Sequence, residues 1–125
     1  MILRSGVDLI EIERLVGALE RHGERFLQRI YTPAEIAECE GSIIQHAPSL
    51  AARFAAKEAV AKTLGTGIGA VSWQEIEILH ESSGQPLLNL HGHAKALAEK
   101  LGLTNWSLSI SHTHAHAVAM VIAIG

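Results

Sequence analysis

The chain has 125 residues, enough for one domain with its own core and little room for a second. Apolar residues make up 48% and aromatics 4%, so the interior must be aliphatic and alanine-rich. Ten Lys and Arg against thirteen Asp and Glu leave a formal charge of -3, which argues against a general nucleic-acid binder.

Residues 2–7 read as a short strand, and Arg4 and Asp8 interrupt any apolar run that a signal peptide needs. From Leu9 the period changes: Ile12, Leu15, Val16 and Leu19 fall on one face of a helix, with Asp8 where an N-cap would sit. His22-Gly23 ends that helix, and residues 24–30 form a further short helical piece. Thr32-Pro33-Ala34-Glu35 is a capping box with proline at the first helical position, opening a helix expected to run to about Glu40. Cys39 is the single cysteine, so no internal disulfide forms; it reads as a small buried hydrophobe in a reducing compartment. Residues 41–48 read as a loop. Ser49 then caps an alanine-rich helix ending at Leu64, before Gly65-Thr66-Gly67-Ile68-Gly69. That glycine run cannot continue a helix and can bring backbone close to a ligand.

Residues 75–80 alternate as a half-buried strand, with Ile76, Ile78 and His80 opposite Glu75, Glu77 and Leu79. Ser82-Ser83-Gly84-Gln85 is a turn, and residues 86–90 return as an edge strand that tolerates Pro86. Residues 92–101 form a helix with Ala94, Leu97, Ala98 and Leu101 inward. Trp106, Leu108 and Ile110 alternate with Ser107, Ser109 and Ser111; residues 117–124 are nearly all apolar and read as a central or doubly covered strand. These two strands form a hairpin around residues 113–115. No stretch nears the roughly 18–20 apolar residues of a membrane span, so the expectation is a cytoplasmic protein without a membrane partner. The sum is α+β: one domain over residues 1–125, an antiparallel sheet of four to five strands with helices packed on one face.

Two carboxylates stand out chemically. Glu58 lies inside the alanine-rich helix with Phe54, Ala55, Ala59 and Ala61 as near neighbours, where a carboxylate is costly unless compensated. If the fold brings Asp8 to Glu58, the pair makes an oxygen-only site suited to Mg²⁺, and Lys62 offers a cation one turn on. On spacing alone, Glu58 and Lys62 are equally a solvated salt bridge. The glycines after the helix favour a phosphate reading, although the run lacks the spacing of a P-loop and follows its helix. His112, at a strand's exit, could donate to a phosphate or carry a proton, or simply bond nearby backbone. With His114 and His116 it reads His-x-His-x-His, a transition-metal spacing set on a turn with no cysteine near. Ser109 or Ser111 beside His112 lacks a Gly-x-Ser-x-Gly elbow, and strand alternation accounts for both. Arg14, Arg21, Arg25 and Arg29 share one side if the helix continues through Gly23, and Glu11, Glu13, Glu20 and Glu24 balance them in number. They form either a solvated charged face or a basic stripe for an acidic partner.

Taken together, these segments resemble the holo-acyl-carrier-protein synthases, a bacterial group of 4′-phosphopantetheinyl transferases. The likeness rests on Gly6-Val7-Asp8-Leu9-Ile10-Glu11 with Arg14, Arg25-Phe26, Tyr31-Thr32-Pro33-Ala34-Glu35, Arg53 to Ala59, Lys62, Gly65 to Gly69 and Ser109 to Thr113. It implies transfer of 4′-phosphopantetheine from coenzyme A to a serine of an apo acyl carrier protein, for fatty acid biosynthesis, releasing adenosine 3′,5′-bisphosphate. It implies Mg²⁺ on Asp8 and Glu58, and coenzyme contacts from Lys62, Gly65, Thr66, Gly67 and His112. Glu58 or a Mg²⁺-bound water would take the serine proton. It also implies Arg14, Arg21 and Arg25 docking an acidic carrier, and a homotrimer with sites between subunits. His114 and His116 lie outside the family pattern. The competing readings are a transferase serving polyketide or peptide carriers and a non-catalytic module that binds coenzyme A or a carrier.

Overall fold

A computed structural model describes residues 1–39 and 41–125. Its elements run β1 (Leu3–Glu11), α1 (Ile12–His22), α2 (Glu24–Ile30), α3 (Pro33–Ala37), a 3-10 turn (Ile44–His46), α4 (Ala47–Leu64), a 3-10 turn (Trp73–Glu75), β2 (Ile76–His80), β3 (Pro86–Leu90), α5 (Gly92–Lys100), β4 (Asn105–His112) and β5 (His116–Ile124). The α+β expectation holds. Its five strands do not form one sheet, however: β1-β5-β4 make a three-stranded antiparallel sheet and β2-β3 a separate hairpin. The far edge of β2 is taken by side chains instead of a strand. Glu35 Oε2 accepts from Ile78 N at 3.0 Å, Glu38 Oε2 from His80 N at 3.3 Å, and Lys57 Nζ donates to the Ile76 carbonyl at 2.6 Å.

Several boundaries differ from the sequence reading. The first strand continues to Glu11, so Asp8 sits mid-strand, paired with Ala119, and is not an N-cap. Leu9 and Ile10 extend the period-two alternation by pairing with Val118 and Ala117. Glu11 occupies the N-cap of α1 without a side-chain capping bond. α3 closes at Ala37; the Glu40 end expected for it lies outside the described residues. Its capping box is present, Thr32 accepting from Glu35 N and Glu35 from Thr32 N. α4 starts at Ala47, two residues before Ser49, because a 3-10 turn feeds into it and Pro48 is tolerated in a first turn. Glu77, expected on the polar side of its strand, is buried, since Thr32 Oγ1 donates to its Oε2 at 2.6 Å. β5 is central, as its composition suggested, yet only one of its faces is covered.

α4 is the element around which the rest is built. Alanines at 51, 52, 55, 56, 59 and 61 are buried, and so are Arg53, Lys57 and Thr63. A helix buried on nearly all sides cannot show an amphipathic stripe. On one side Lys57 and Glu35 are both fully buried. Lys57 Nζ donates to Glu35 Oε1 at 2.7 Å, to the Trp73 carbonyl at 3.0 Å and to the Ile76 carbonyl. All three ammonium hydrogens are satisfied, which is what lets a lysine remain there. Burial pushes the Lys57 pKa down, and the Glu35 charge opposes that push.

On the other side β1 passes directly beneath the helix. A Cβ at Gly6 would collide with the Ala59 carbonyl oxygen and stand 2.5 Å from Thr63 Oγ1. Helix backbone cannot yield as a flexible side chain would. We expect Gly6→Ala to cost about 1–3 kcal/mol, the usual range for overpacking, read as a lower urea or thermal midpoint. An unchanged midpoint would mean that β1 and α4 can separate at no cost.

Candidate active site

The close approach at Gly6 sets the register of β1 on α4, and the two run antiparallel. Asp8 lies beside Lys62, Gly6 under Ala59 and Thr63, and Arg4 against Gly65. Alternation along β1 turns Arg4, Gly6, Asp8 and Ile10 toward the helix and Leu3, Ser5, Val7 and Leu9 away from it. Lys62 Nζ donates to Asp8 Oδ1 and to the Val7 carbonyl, both at 3.0 Å. Glu58 is half-buried beside them. Burial raises its pKa above the ordinary carboxylate value; the Asp8 charge adds to the rise, and Lys62 opposes it.

These three side chains share a cavity of about 890 Å³, whose α1 wall includes Arg14 and Arg21. The pair of carboxylates and the arginines therefore meet in one depression, although nearly fifty residues separate Asp8 from Glu58. Phe26, Phe54 and His116 also line it, and the sequence reading gave none of them a role there. Phe54 is held by stacking on Trp73, with ring centroids 4.6 Å apart. A signal for Phe54 was available, since it stands one helical turn before Glu58.

The other expected site residues are placed differently. Gly23 takes φ 53 and ψ -131, breaking the helix between α1 and α2. Arg25 is exposed on α2 and lies outside the residues lining this cavity, so the four-arginine stripe is interrupted. Gly65 caps α4 in the left-handed conformation at φ 82. Three amides of this loop are already engaged. Gly65 N donates to the Lys62 carbonyl at 3.0 Å, and Thr66 N and Gly67 N donate to the Ala61 carbonyl at 3.2 and 3.3 Å. His112 ends β4, the sheet edge opposite β1, and is exposed. With β5 between them, two strand spacings of roughly 4.8 Å separate β4 from β1, so one chain does not bring His112 to Asp8. His114 lies in the turn that Thr113 Oγ1 organises by accepting from Ala115 N and His116 N.

Among the described residues no group of three or more His, Cys, Asp or Glu is arranged to hold a metal. A closed zinc site is therefore not offered. Asp8 and Glu58 can supply two oxygen ligands, and their paired charge, offset in part by Lys62, favours a cation. Mg²⁺ matches that donor set because it keeps several waters and takes substrate phosphate oxygens.

The raised Glu58 pKa has a sign that can be tested without substrate. Its proton-linked stability is full below the ordinary carboxylate pKa and is lost as pH rises through the folded value. In EDTA near neutral pH, Glu58→Gln should therefore melt above the wild type. The gap should close as pH falls through the carboxylate range; a gap independent of pH would show that the charge is not the cause.

Comparison with known proteins points one way. A family model described as the 4′-phosphopantetheinyl transferase superfamily matches residues 4–121. The holo-[acyl-carrier-protein] synthase of Herpetosiphon aurantiacus is 47% identical over 131 residues, spanning 99% of this chain and 100% of that one. The holo-[acyl-carrier-protein] synthase of Moorella thermoacetica is 50% identical over 112 residues, spanning 88% of this chain and 84% of that one. The crystal structure of the Helicobacter pylori holo-[acyl-carrier-protein] synthase in complex with coenzyme A matches with a TM-score of 0.84 at 32% identity, covering 96% of this chain and 99% of that chain.

Proposed function

The chain belongs to the holo-[acyl-carrier-protein] synthases of the 4′-phosphopantetheinyl transferase superfamily, and on that premise we propose the reaction it performs and the residues that perform it. The reaction is transfer of 4′-phosphopantetheine from coenzyme A to a serine of an apo acyl carrier protein, in fatty acid biosynthesis and in the cytoplasm. Among the described residues no helix is long and apolar enough to cross a membrane. Residues 1–125 act as one transferase domain. The observation that carries the reading is the convergence of Asp8, Glu58 and Lys62 with Arg14 and Arg21 in one cavity.

In this reading the serine oxygen bonds to the β-phosphorus of the diphosphate. The bond from that phosphorus to the bridging oxygen breaks, and adenosine 3′,5′-bisphosphate leaves with the electron pair. Asp8 and Glu58 would hold Mg²⁺, which when bound neutralises charge on the diphosphate oxygens. Lys62, exposed and now bonded to Asp8, turns to a phosphate as a point charge. Glu58 receives the serine proton, directly or through a water. Arg14 and Arg21 meet the acidic carrier at the cavity's α1 wall, with Arg25 beyond the Gly23 break on the same approach. Gly65, Thr66 and Gly67 border the coenzyme through their shape, since their amides are committed to α4.

His112 fits only if a neighbouring subunit supplies it. The uncovered face of the β1-β5-β4 sheet supports such an arrangement. Cross-strand rows there join Leu3 to Ile124, Val7 to Met120 and Leu9 to Val118, and Leu3, Val7, Leu9 and Met120 are each about half exposed or more. An apolar face of that kind on a chain of net charge -3 suits a second and third copy of itself, giving a homotrimer with sites between subunits. Met120→Glu should shift the protein toward monomer in sedimentation and lower transfer with it. A monomeric wild type would remove the arrangement.

Intact mass of apo carrier incubated with enzyme, coenzyme A and Mg²⁺ tests the reaction itself. The carrier should gain one phosphopantetheine arm, EDTA should prevent the gain, and Asp8→Ala should reduce it at least about a hundredfold. Arg14→Glu should raise the carrier KM, most strongly at low salt, and leave the coenzyme A KM unchanged. Binding of coenzyme A without any mass gain would make the chain a binding module. A preference for polyketide or peptide carriers would displace the fatty-acid assignment.

A further inference from the structure

Arg4 has no role in the reaction described so far, and its position is unusual for a surface arginine. It lies four residues before Asp8 on the same face of β1, about 13 Å along the strand. Its guanidinium rests on the Gly65 backbone, where a Cβ would stand 2.9 Å from Nη2 and 3.9 Å from Cζ. Gly65 therefore does two things: it adopts φ 82, and it leaves the guanidinium its space.

An arginine at a helix C-terminus ordinarily serves the last carbonyls. Here the Lys62 and Ala61 carbonyls already accept from the amides of Gly65, Thr66 and Gly67, and among the described residues no bond joins the guanidinium to the helix end. Among the described residues no hydrogen bond or ion pair engages the Arg4 guanidinium. The same backbone bonds withdraw the amides of Gly65, Thr66 and Gly67 from any ligand, and Thr66 Oγ1 donates to the Gly67 carbonyl at 2.9 Å. A phosphate reaching Gly65 to Gly67 finds those three amides engaged, and Arg4 presents a free planar fork there.

We propose that Arg4 is a substrate-binding residue whose guanidinium takes a phosphate of coenzyme A through the opening left by Gly65. The proposal rests on the transferase reading. Arg4 and Lys62 would then grip the coenzyme at two points along the β1–α4 seam, while Arg14 and Arg21 lie past Asp8 in the other direction. Coenzyme A carries phosphate in two places, its diphosphate and its ribose 3′-phosphate, and either chemistry satisfies the guanidinium.

The test compares wild type, Arg4→Gln and Arg4→Lys. Calorimetric binding of adenosine 3′,5′-bisphosphate and of coenzyme A in EDTA comes first, because it needs no turnover. Arg4→Gln should weaken both by about five- to tenfold, the scale of one charge-assisted hydrogen-bonded pair. Arg4→Lys should restore part of the loss. In the transfer assay the coenzyme A KM should rise by the same factor, with kcat and the carrier KM within about twofold of wild type. Repeating the series with 3′-dephospho-coenzyme A separates the two phosphates: a penalty that persists assigns Arg4 to the diphosphate, and one that vanishes assigns it to the 3′-phosphate. Unchanged affinity in Arg4→Gln, whether or not its melting temperature falls, would return Arg4 to a purely structural role. Should the wild type bind coenzyme A but transfer nothing, the transferase reading fails while the binding comparison still decides the role of Arg4.

Discussion

The contact of β1 with α4 across Gly6 is the constraint from which the site follows. Because no side chain stands between the strand and the Ala59 carbonyl, β1 can lie closer to the helix than Cβ atoms normally permit. At that distance Lys62 reaches both Asp8 and the Val7 carbonyl. The helix is also fixed on a second face. Lys57, one residue before Glu58 and about 100° round α4 from it, is held by Glu35 and two carbonyls with no solvent near. Breaking such a pair leaves an uncompensated buried charge, which costs several kcal/mol. Gly6 and Lys57 thus pin the rotation of α4 from two sides, and that rotation is what turns Glu58 toward Asp8.

The two charged clusters on α4 differ in how completely they are satisfied. Around Lys57 each hydrogen has an acceptor, and Glu35 accepts from Lys57, Thr32 N and Ile78 N. Around Glu58 burial and a neighbouring carboxylate both disfavour the ion, and the exposed Lys62 offsets them in part. The first arrangement holds the fold without help. The second is left incomplete by the same helix, and the Mg²⁺ proposed for Asp8 and Glu58 would complete it. A site that is unfavourable alone and favourable when filled is what ligand-linked stability requires.

Much of the architecture was legible in residues. The capping box at Thr32, the helix ending at Gly65, the α5 segment and the β4–β5 hairpin follow from local chemistry, and the structure places them within a residue or two. The failures have a common origin. Leu9 and Ile10 satisfy a helical period and a strand period equally well, and only their pairing with β5 decides between them. The split of the strands into two sheets depends on Glu35, Glu38 and Lys57 occupying the β2 edge, a contact between segments far apart in sequence. The burial of Arg53 and Lys57 was not legible, because a helix buried on nearly all sides leaves no stripe to read. Within the site, Asp8, Glu58 and Lys62 were recognisable by type and spacing, whereas Phe26, Phe54 and His116 enter only through packing.

β1 shows why the chemistry and the association of this chain cannot be tuned separately. Nine residues alternate strictly, so one face carries Arg4, Gly6 and Asp8 toward α4 and the other carries Leu3, Val7 and Leu9 toward solvent. A one-residue slip against β5 would exchange these faces, burying Val7 and Leu9 under the helix and turning Asp8 away from Glu58. Steric exclusion at Gly6 forbids that slip, since any side chain arriving there meets the Ala59 carbonyl. If copies of the chain cover the apolar face, as proposed, their contacts add pairing energy to the register that places Asp8. Assembly and metal affinity then become linked through the strand itself: a change that weakens the interface also loosens the carboxylate, with no residue passing a signal between them.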